Sequence, residues 1–345
     1  MGEKKWMKRR KGVVWLCIGL MIFSVLGSSV DVHAAKKQDA SLGPLHVEGT
    51  TLCDKDGNVV QLRGVSTHGL SWFPQYVNDA CFKELHDKWG ANVVRLAMYT
   101  AEYNGYCVSD TANRKALKKL VKKGVKLAKK HDMYVIIDWH ILSDGNPRTY
   151  QKQAKSFFQT MSKEFADYDN VIYELCNEPN GGTDWATIKS YATSVIKTIR
   201  ANDKDAVIIV GTPTWSQEVD KAAASPIKDD NVMYALHFYA DTHRDFLRER
   251  AEAALKKGLP IFVSEFGICD ASGNGNLNKD EAKKWMSLLD RYQVSYVAWN
   301  LANKNEASSL VASSCNKISG WSRNDLSESG KWLYDLLRKK SGKSR

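Results

Sequence analysis

The chain has 345 residues, 43% of them hydrophobic and 26% charged, which is ordinary globular composition and enough length for one large domain. Its formal charge of +11 is spread over helix-like segments such as Arg114-Lys115-Ala116-Leu117-Lys118-Lys119. That distribution keeps a protein soluble and argues against a nucleic-acid partner.

At the start, Lys4, Lys5, Lys8, Arg9, Arg10 and Lys11 precede an apolar run over 13–26, and Val32-His33-Ala34-Ala35 supplies small residues for cleavage. This order reads as a secretory signal peptide over residues 1–35. It predicts a secreted, extracellular protein with no stable membrane association after cleavage. The competing reading is an uncleaved anchor, because the run is only slightly short of a spanning helix. Without this segment, 44 basic and 37 acidic residues leave a net +7. Cys17 belongs to it; Cys53, Cys81, Cys107, Cys176, Cys269 and Cys315 remain, and no two are spaced as a zinc or redox motif. An exported chain could pair some of them, although Cys176 and Cys269 lie in apolar contexts that suit a small buried thiol.

A short polar segment (36–43) leads into a hairpin signal, in which Leu45-His46-Val47 and Val59-Val60-Gln61-Leu62 flank the turn Asp56-Gly57-Asn58. Short apolar runs then recur at 62–66, 93–99, 134–140, 171–179, 207–213, 232–239, 261–267 and 294–301. Helical spacing fills 113–130, 184–201, 244–257 and 278–292, and a last helix is expected over 325–340. Strands alternating with helices predict parallel pairing through crossovers. Eight such units fit an α/β fold of the TIM type, a (β/α)8 barrel of about 250 residues, with a short β-hairpin before it. A doubly wound sheet would carry a Gly-rich phosphate loop after its first strand. The sequence has neither that loop nor a Ser nucleophile elbow. One monomeric domain over residues 44–340 is expected.

Chemistry in such a barrel sits where the strands end, at the C-terminal mouth. In order, those ends carry His68 and Trp72, Arg95 and Tyr99, His140, Asn177 and Glu178, Trp215, His237 and Tyr239, Glu265, and Trp299. Glu178 is placed at the end of the fourth strand and Glu265 at the end of the seventh. Two carboxyl groups facing one cavity suit acetal cleavage, one protonating the leaving oxygen and the other stabilising or attacking the oxocarbenium carbon. Arg95 is expected to keep Glu265 ionised, leaving Glu178 as the acid. Trp72, Trp215 and Trp299, with Tyr99 and Tyr239, offer flat apolar faces for pyranose rings. Trp89, Trp139 and Trp285 read as packing residues instead. His68, His140 and His237 show no HxH or HExxH spacing, so hydrogen bonding is expected of them and neither a metal nor a cofactor.

Taken together, these segments resemble glycoside hydrolase family 5, and within it the bacterial endo-β-1,4-glucanases, or cellulases. The resemblance runs through LRGVSTHGLSWF (62–73), VVRLAMYT (93–100), VIIDWHIL (135–142), IYELCNEPN (172–180), GTPTWSQ (211–217), ALHFYA (235–240), VSEFG (263–267) and AWNLANKNEASSL (298–310). It implies a retaining double displacement on a β-1,4-glucan. By position, it makes Glu178 the acid/base and Glu265 the nucleophile, with Arg95 and Tyr239 on Glu265 and Asn177 on the sugar 2-hydroxyl. His140 and His237 would flank the acid/base, and His68 and Trp299 the sugar at the cut. Trp72, Lys304 and Glu306 would bind further toward the non-reducing side, and Trp215 on the leaving-group side. Two alternatives stay open: an endo-acting hydrolase of mannan, xyloglucan or mixed-linkage glucan, and a non-catalytic glycan-binding barrel.

Overall fold

Residues 42–343 are described by a computed structural model; the signal-peptide reading of residues 1–35 lies outside them. A hairpin of β1 (Leu45–Glu48) and β2 (Thr51–Asp54) comes first. The barrel strands follow: β3 (Arg63–Thr67), β4 (Val93–Tyr99), β5 (Tyr134–His140), β6 (Val171–Glu174), β7 (Val207–Val210), β8 (Val232–Tyr239), β9 (Ile261–Gly267) and β10 (Tyr296–Leu301). They pair in parallel and in sequence order, and β10 closes on β3. This is the TIM-type barrel that the alternation of strands and helices predicts.

Helices over Thr111–Lys130, Gln151–Phe165, Trp185–Arg200, Asp245–Lys256, Lys279–Arg291 and Glu328–Lys340 surround the ring. Several begin on a side chain that caps the first free N–H groups: Asp110 accepts from Asn113 N–H at 2.8 Å, and Asp184 from Thr187 N–H at 2.8 Å. Their apolar residues recur at helical spacing, as Leu117, Val121, Val125 and Ala128 do, and that face is buried. The last helix starts at Glu328, not 325, because Arg323–Asp325 forms a separate 3-10 turn and Ser327 is the cap.

Several expected strand boundaries change; the run over 207–213 is strand only as far as Val210, and Pro213 opens a short helix. Asp56-Gly57-Asn58 does make a turn, with Asp54 N–H donating to Asn58 O at 2.9 Å, but the partner of β1 is β2, reached through Gly49 at φ +59°. Val59 contributes one isolated bridge to Cys53. The strand expected over 171–179 pairs only as far as Glu174. Beyond it Leu175 N–H still reaches Ile209 O at 2.9 Å, Asn177 N–H turns to Trp139 O at 3.2 Å, and Pro179 has no N–H to continue the ladder.

Side-chain alternation stacks the lumen in layers. At the bottom Val93, Tyr134, Ile136, Ile172, Val207 and Phe262 pack with Leu45, Leu52 and Val60, so the hairpin plugs the N-terminal end. Tyr134 OH also donates to Gly43 O at 2.9 Å. Two residues further along their strands, the apolar fill gives way to Arg95, Asp138 and Glu174, all fully buried. The intervening residues Val94, Leu96, Val135, Ile137 and Trp139 face the helices.

Candidate active site

One strand carries a residue more than its neighbours can match. On β9, Phe262 and Glu265 face Ala235 and His237 of β8, while Val263 and Phe266 face Tyr296 and Ala298 of β10. Three steps against two on both sides define a β-bulge. It lets Ser264 and Glu265 both turn inward, where strict alternation would send Glu265 toward the helices. Ser264 Oγ donates to Glu174 Oε1 at 2.7 Å, and Glu265 meets Arg95 and Tyr239.

Glu178 stands four residues past the end of β6, on a segment fixed by hydrogen bonds rather than by the sheet. Asn180 Nδ2 donates to Glu178 O at 2.9 Å and Leu142 O at 2.7 Å. Ser216 Oγ donates to Asn177 O at 2.7 Å, and Trp215 N–H to Pro179 O at 3.0 Å. The acid/base candidate and the Trp215 platform are therefore held by the same bonds.

An oxygen of Glu178, a ring nitrogen of His237 and an oxygen of Glu265 lie within 4.8 Å of one another. His237 Nδ1 is 3.0 Å from Glu178 Oε1. Tyr239 OH donates to Glu265 Oε1 at 2.8 Å, and Arg95 Nη1 to Glu265 Oε2 at 3.2 Å. Below them, Arg95 Nε and Nη2 grip Glu174 at 2.7 and 3.2 Å. Arg95 Nη2 also reaches Asn177 Oδ1 at 2.7 Å and Asp138 Oδ2 at 3.0 Å. Metal-ligand spacing is met by Glu178, His237 and Glu265, and not by His68 and His140. Both Glu265 oxygens already accept from donors, and the buried guanidinium beside them opposes a divalent cation.

The charges divide accordingly. Burial alone would raise Glu174, but Arg95 and His237 outweigh it and hold Glu174 down at about 2. Burial works against a charge on His237, yet its contacts with Glu174 and Glu178 push the ring up to about 9. Burial, and then the Glu178 charge, raise Glu265 to about 7 against the pull of His237, Arg95 and Tyr239. Arg95 thus does not by itself keep Glu265 ionised, because its charge is shared with Glu174 and Asp138. Burial, with Arg95 and His237 nearby, keeps His140 well below its ordinary value, and its Nδ1 lies 2.6 Å from Asp138 Oδ2.

A cavity of about 550 Å³ opens above the pair, lined by His68, Tyr99, His140, Glu178, Trp215, His237, Tyr239, Glu265, Trp299, Lys304 and Glu306 among others. Arg95 and Asn177 lie beneath its floor. Trp72 stands at its edge, 38% exposed, its ring 5.5 Å from His68. From the carboxyl pair outward, rings follow one another: Trp299 stacks on His140 at 5.0 Å, His68 lies 5.2 Å from Trp299, and Trp72 comes next. Lys304 Nζ sits 5.8 Å from the Trp72 ring centre and 2.5 Å from Glu306 Oε2. Sequence reasoning misses Glu174, Ser264 and Asp138. Glu174 and Asp138 did leave a signal, since each puts an acid at an inward position of an apolar strand. Gln217, His243 and Ser272, which also line the cavity, left none.

Known proteins resemble this chain in sequence and fold. Residues 53–305 match the family described as Cellulase (glycosyl hydrolase family 5). Endoglucanase A of Butyrivibrio fibrisolvens is 48% identical over 296 residues, which is 86% of this chain and 68% of the relative. An endoglucanase of Clostridium saccharobutylicum is 48% identical over 317 residues, 91% and 69% of the two chains. The solved catalytic domain of Thermobifida fusca endoglucanase Cel5A in complex with cellotetraose aligns with a TM-score of 0.81 at 37% identity, covering 86% of this chain and 98% of that one. With a shared barrel, and near-half identity across most of the chain, this protein belongs to glycosyl hydrolase family 5, among the bacterial endoglucanases.

Proposed function

We propose that the protein is a retaining endo-β-1,4-glucanase that cleaves internal bonds of cellulose and related β-glucans. The observation that carries this reading is the approach of Glu178 and Glu265 to within 4.8 Å in one cleft. Retaining pairs stand about 5–5.5 Å apart and inverting pairs roughly 6.5–9.5 Å, the wider gap holding a water. A Glu265 oxygen attacks the anomeric carbon while Glu178 gives its proton to the glycosidic oxygen, whose bond to that carbon breaks. Water then attacks the glycosyl–Glu265 ester, Glu178 takes the water's proton, and the sugar leaves with its original configuration. Arg95 and Tyr239, one on each Glu265 oxygen, fix the carboxylate plane for attack. His237 orients Glu178. Asn177 serves the sugar 2-hydroxyl, while Trp299, Trp72 and Trp215 support successive rings on either side of the cut.

The relatives' names and the cellotetraose complex support a β-glucan substrate. Reducing-end release on carboxymethylcellulose, glucomannan and lichenan, with the anomer of the first product read by NMR, tests the proposal. A fast fall in viscosity on carboxymethylcellulose and a β-anomer first are expected. An α-anomer first would overturn retention, and a preference for glucomannan would move the substrate. Glu265→Ala should abolish hydrolysis of every polymer, with azide restoring some turnover to an inverted product. Export belongs to the same proposal and is supported by the basic, apolar and small residues of 1–35. N-terminal sequencing of protein from the culture medium checks it.

A further inference from the structure

Among the described residues, the exposed aromatic side chains are Trp72, Tyr103, Trp215 and Phe246. All four follow a barrel strand at its C-terminal end, on the rim that carries the cleft, and Trp72 and Trp215 already belong to the proposed site. Tyr103 is 77% exposed, the largest value of the four. Its position is built rather than loose. The indole N–H of Trp72 donates to Tyr103 O at 2.8 Å. Around it, Glu102 O accepts from Gly105 N–H at 2.6 Å, Tyr99 O from Tyr106 N–H at 2.8 Å, and Asn104 O from Asn113 Nδ2 at 2.8 Å. Glu102 Oε1 ties the same loop to Ser143 N–H at 3.0 Å.

We infer that Tyr103 forms an outer sugar-binding subsite beyond Trp72, taking one more glucosyl unit at the non-reducing end of a bound chain. The inference rests on the β-glucan reading of the cleft. Outward from the cut, the rings run from Trp299 through His68 to Trp72, whose indole nitrogen is bonded to the Tyr103 backbone. A chain that leaves the cavity over Trp72 meets Tyr103 next. A tyrosine on a pinned loop offers a sugar ring a flat apolar face with little ordering cost.

The test compares the full chain with Tyr103→Ala, Tyr103→Phe and Val108→Ala, the last a substitution of another exposed residue of the same loop. Each is assayed on cellohexaose and on a short aryl β-cellobioside, which leaves the outer position empty. Tyr103→Ala should lower kcat/KM on cellohexaose by roughly two- to tenfold, through KM, as the loss of one aromatic contact implies. It should not change turnover of the cellobioside, and Tyr103→Phe and Val108→Ala should match the wild type on both. Equal behaviour of Tyr103→Ala on the two substrates, or the same loss from Val108→Ala, would overturn the subsite. A wild type that leaves cellohexaose intact would instead overturn the substrate reading beneath it.

Discussion

The Arg95 guanidinium serves Glu174, Asp138 and Asn177 as well as Glu265, so Glu265 receives a single N–H from it, at 3.2 Å. Burial, and then the Glu178 charge within 4.8 Å, therefore lift Glu265 to about 7. The Glu265 carboxylate that attacks the sugar is then lost as pH falls through about 7. Polymer hydrolysis should therefore decline below that pH. Glu178→Gln removes the like charge, which should lower the Glu265 pKa. On an aryl cellobioside whose leaving group needs no proton, this variant should hold its rate to lower pH than the wild type. A pH–rate profile that keeps the wild-type acid limb would assign that limb to another group.

At the scale of the element, the catalytic geometry is set by two departures from a regular barrel. The β9 bulge turns Glu265 inward, and the end of β6 hands the chain to the bonded segment that bears Glu178. Thr214, Trp215 and Ser216 have φ between +54° and +56°, and single non-Gly residues held there cost about 1–3 kcal/mol. The bonds from Trp215 N–H to Pro179 O and from Ser216 Oγ to Asn177 O help hold them. Gly211 is the contact behind this segment, since a Cβ there would meet Cys176 O at 2.0 Å. Backbone cannot yield as a side-chain tip does. Gly211→Ala should destabilise the fold by about 1–3 kcal/mol and lower kcat, because the displaced Cys176 leads directly to Asn177 and Glu178. Thermal melting and steady-state kinetics check both; a wild-type kcat would show that the segment tolerates the shift.

Across the whole molecule, an apolar bottom sealed by the hairpin supports a fully buried ionic layer, and that layer makes stability depend on pH. Glu174 titrates at about 2 in the folded chain against an ordinary 4.5. A lowered folded value means that its contribution is complete above 4.5 and is lost as pH falls toward 2. His237, raised to about 9 from 6.5, contributes fully below 6.5 and is lost as pH rises through 9. The melting temperature should thus fall below pH 4.5, and Glu174→Gln should flatten that acid slope; an unchanged slope would place the acid sensitivity elsewhere. Much of this protein was legible in its residues. The alternation of short apolar runs with helically spaced segments determined a ring of strands and helices, and the polar groups ending apolar runs marked the mouth, because both signals are local and repeat along the chain. The partner of β1, the bulge that turns Glu265 inward and the sharing of Arg95 among three carboxyl groups were decided only by the tertiary structure. Each depends on which distant strand lies alongside and in what register, and a one-residue difference in pairing leaves no trace in composition or spacing while reversing the face on which a side chain emerges.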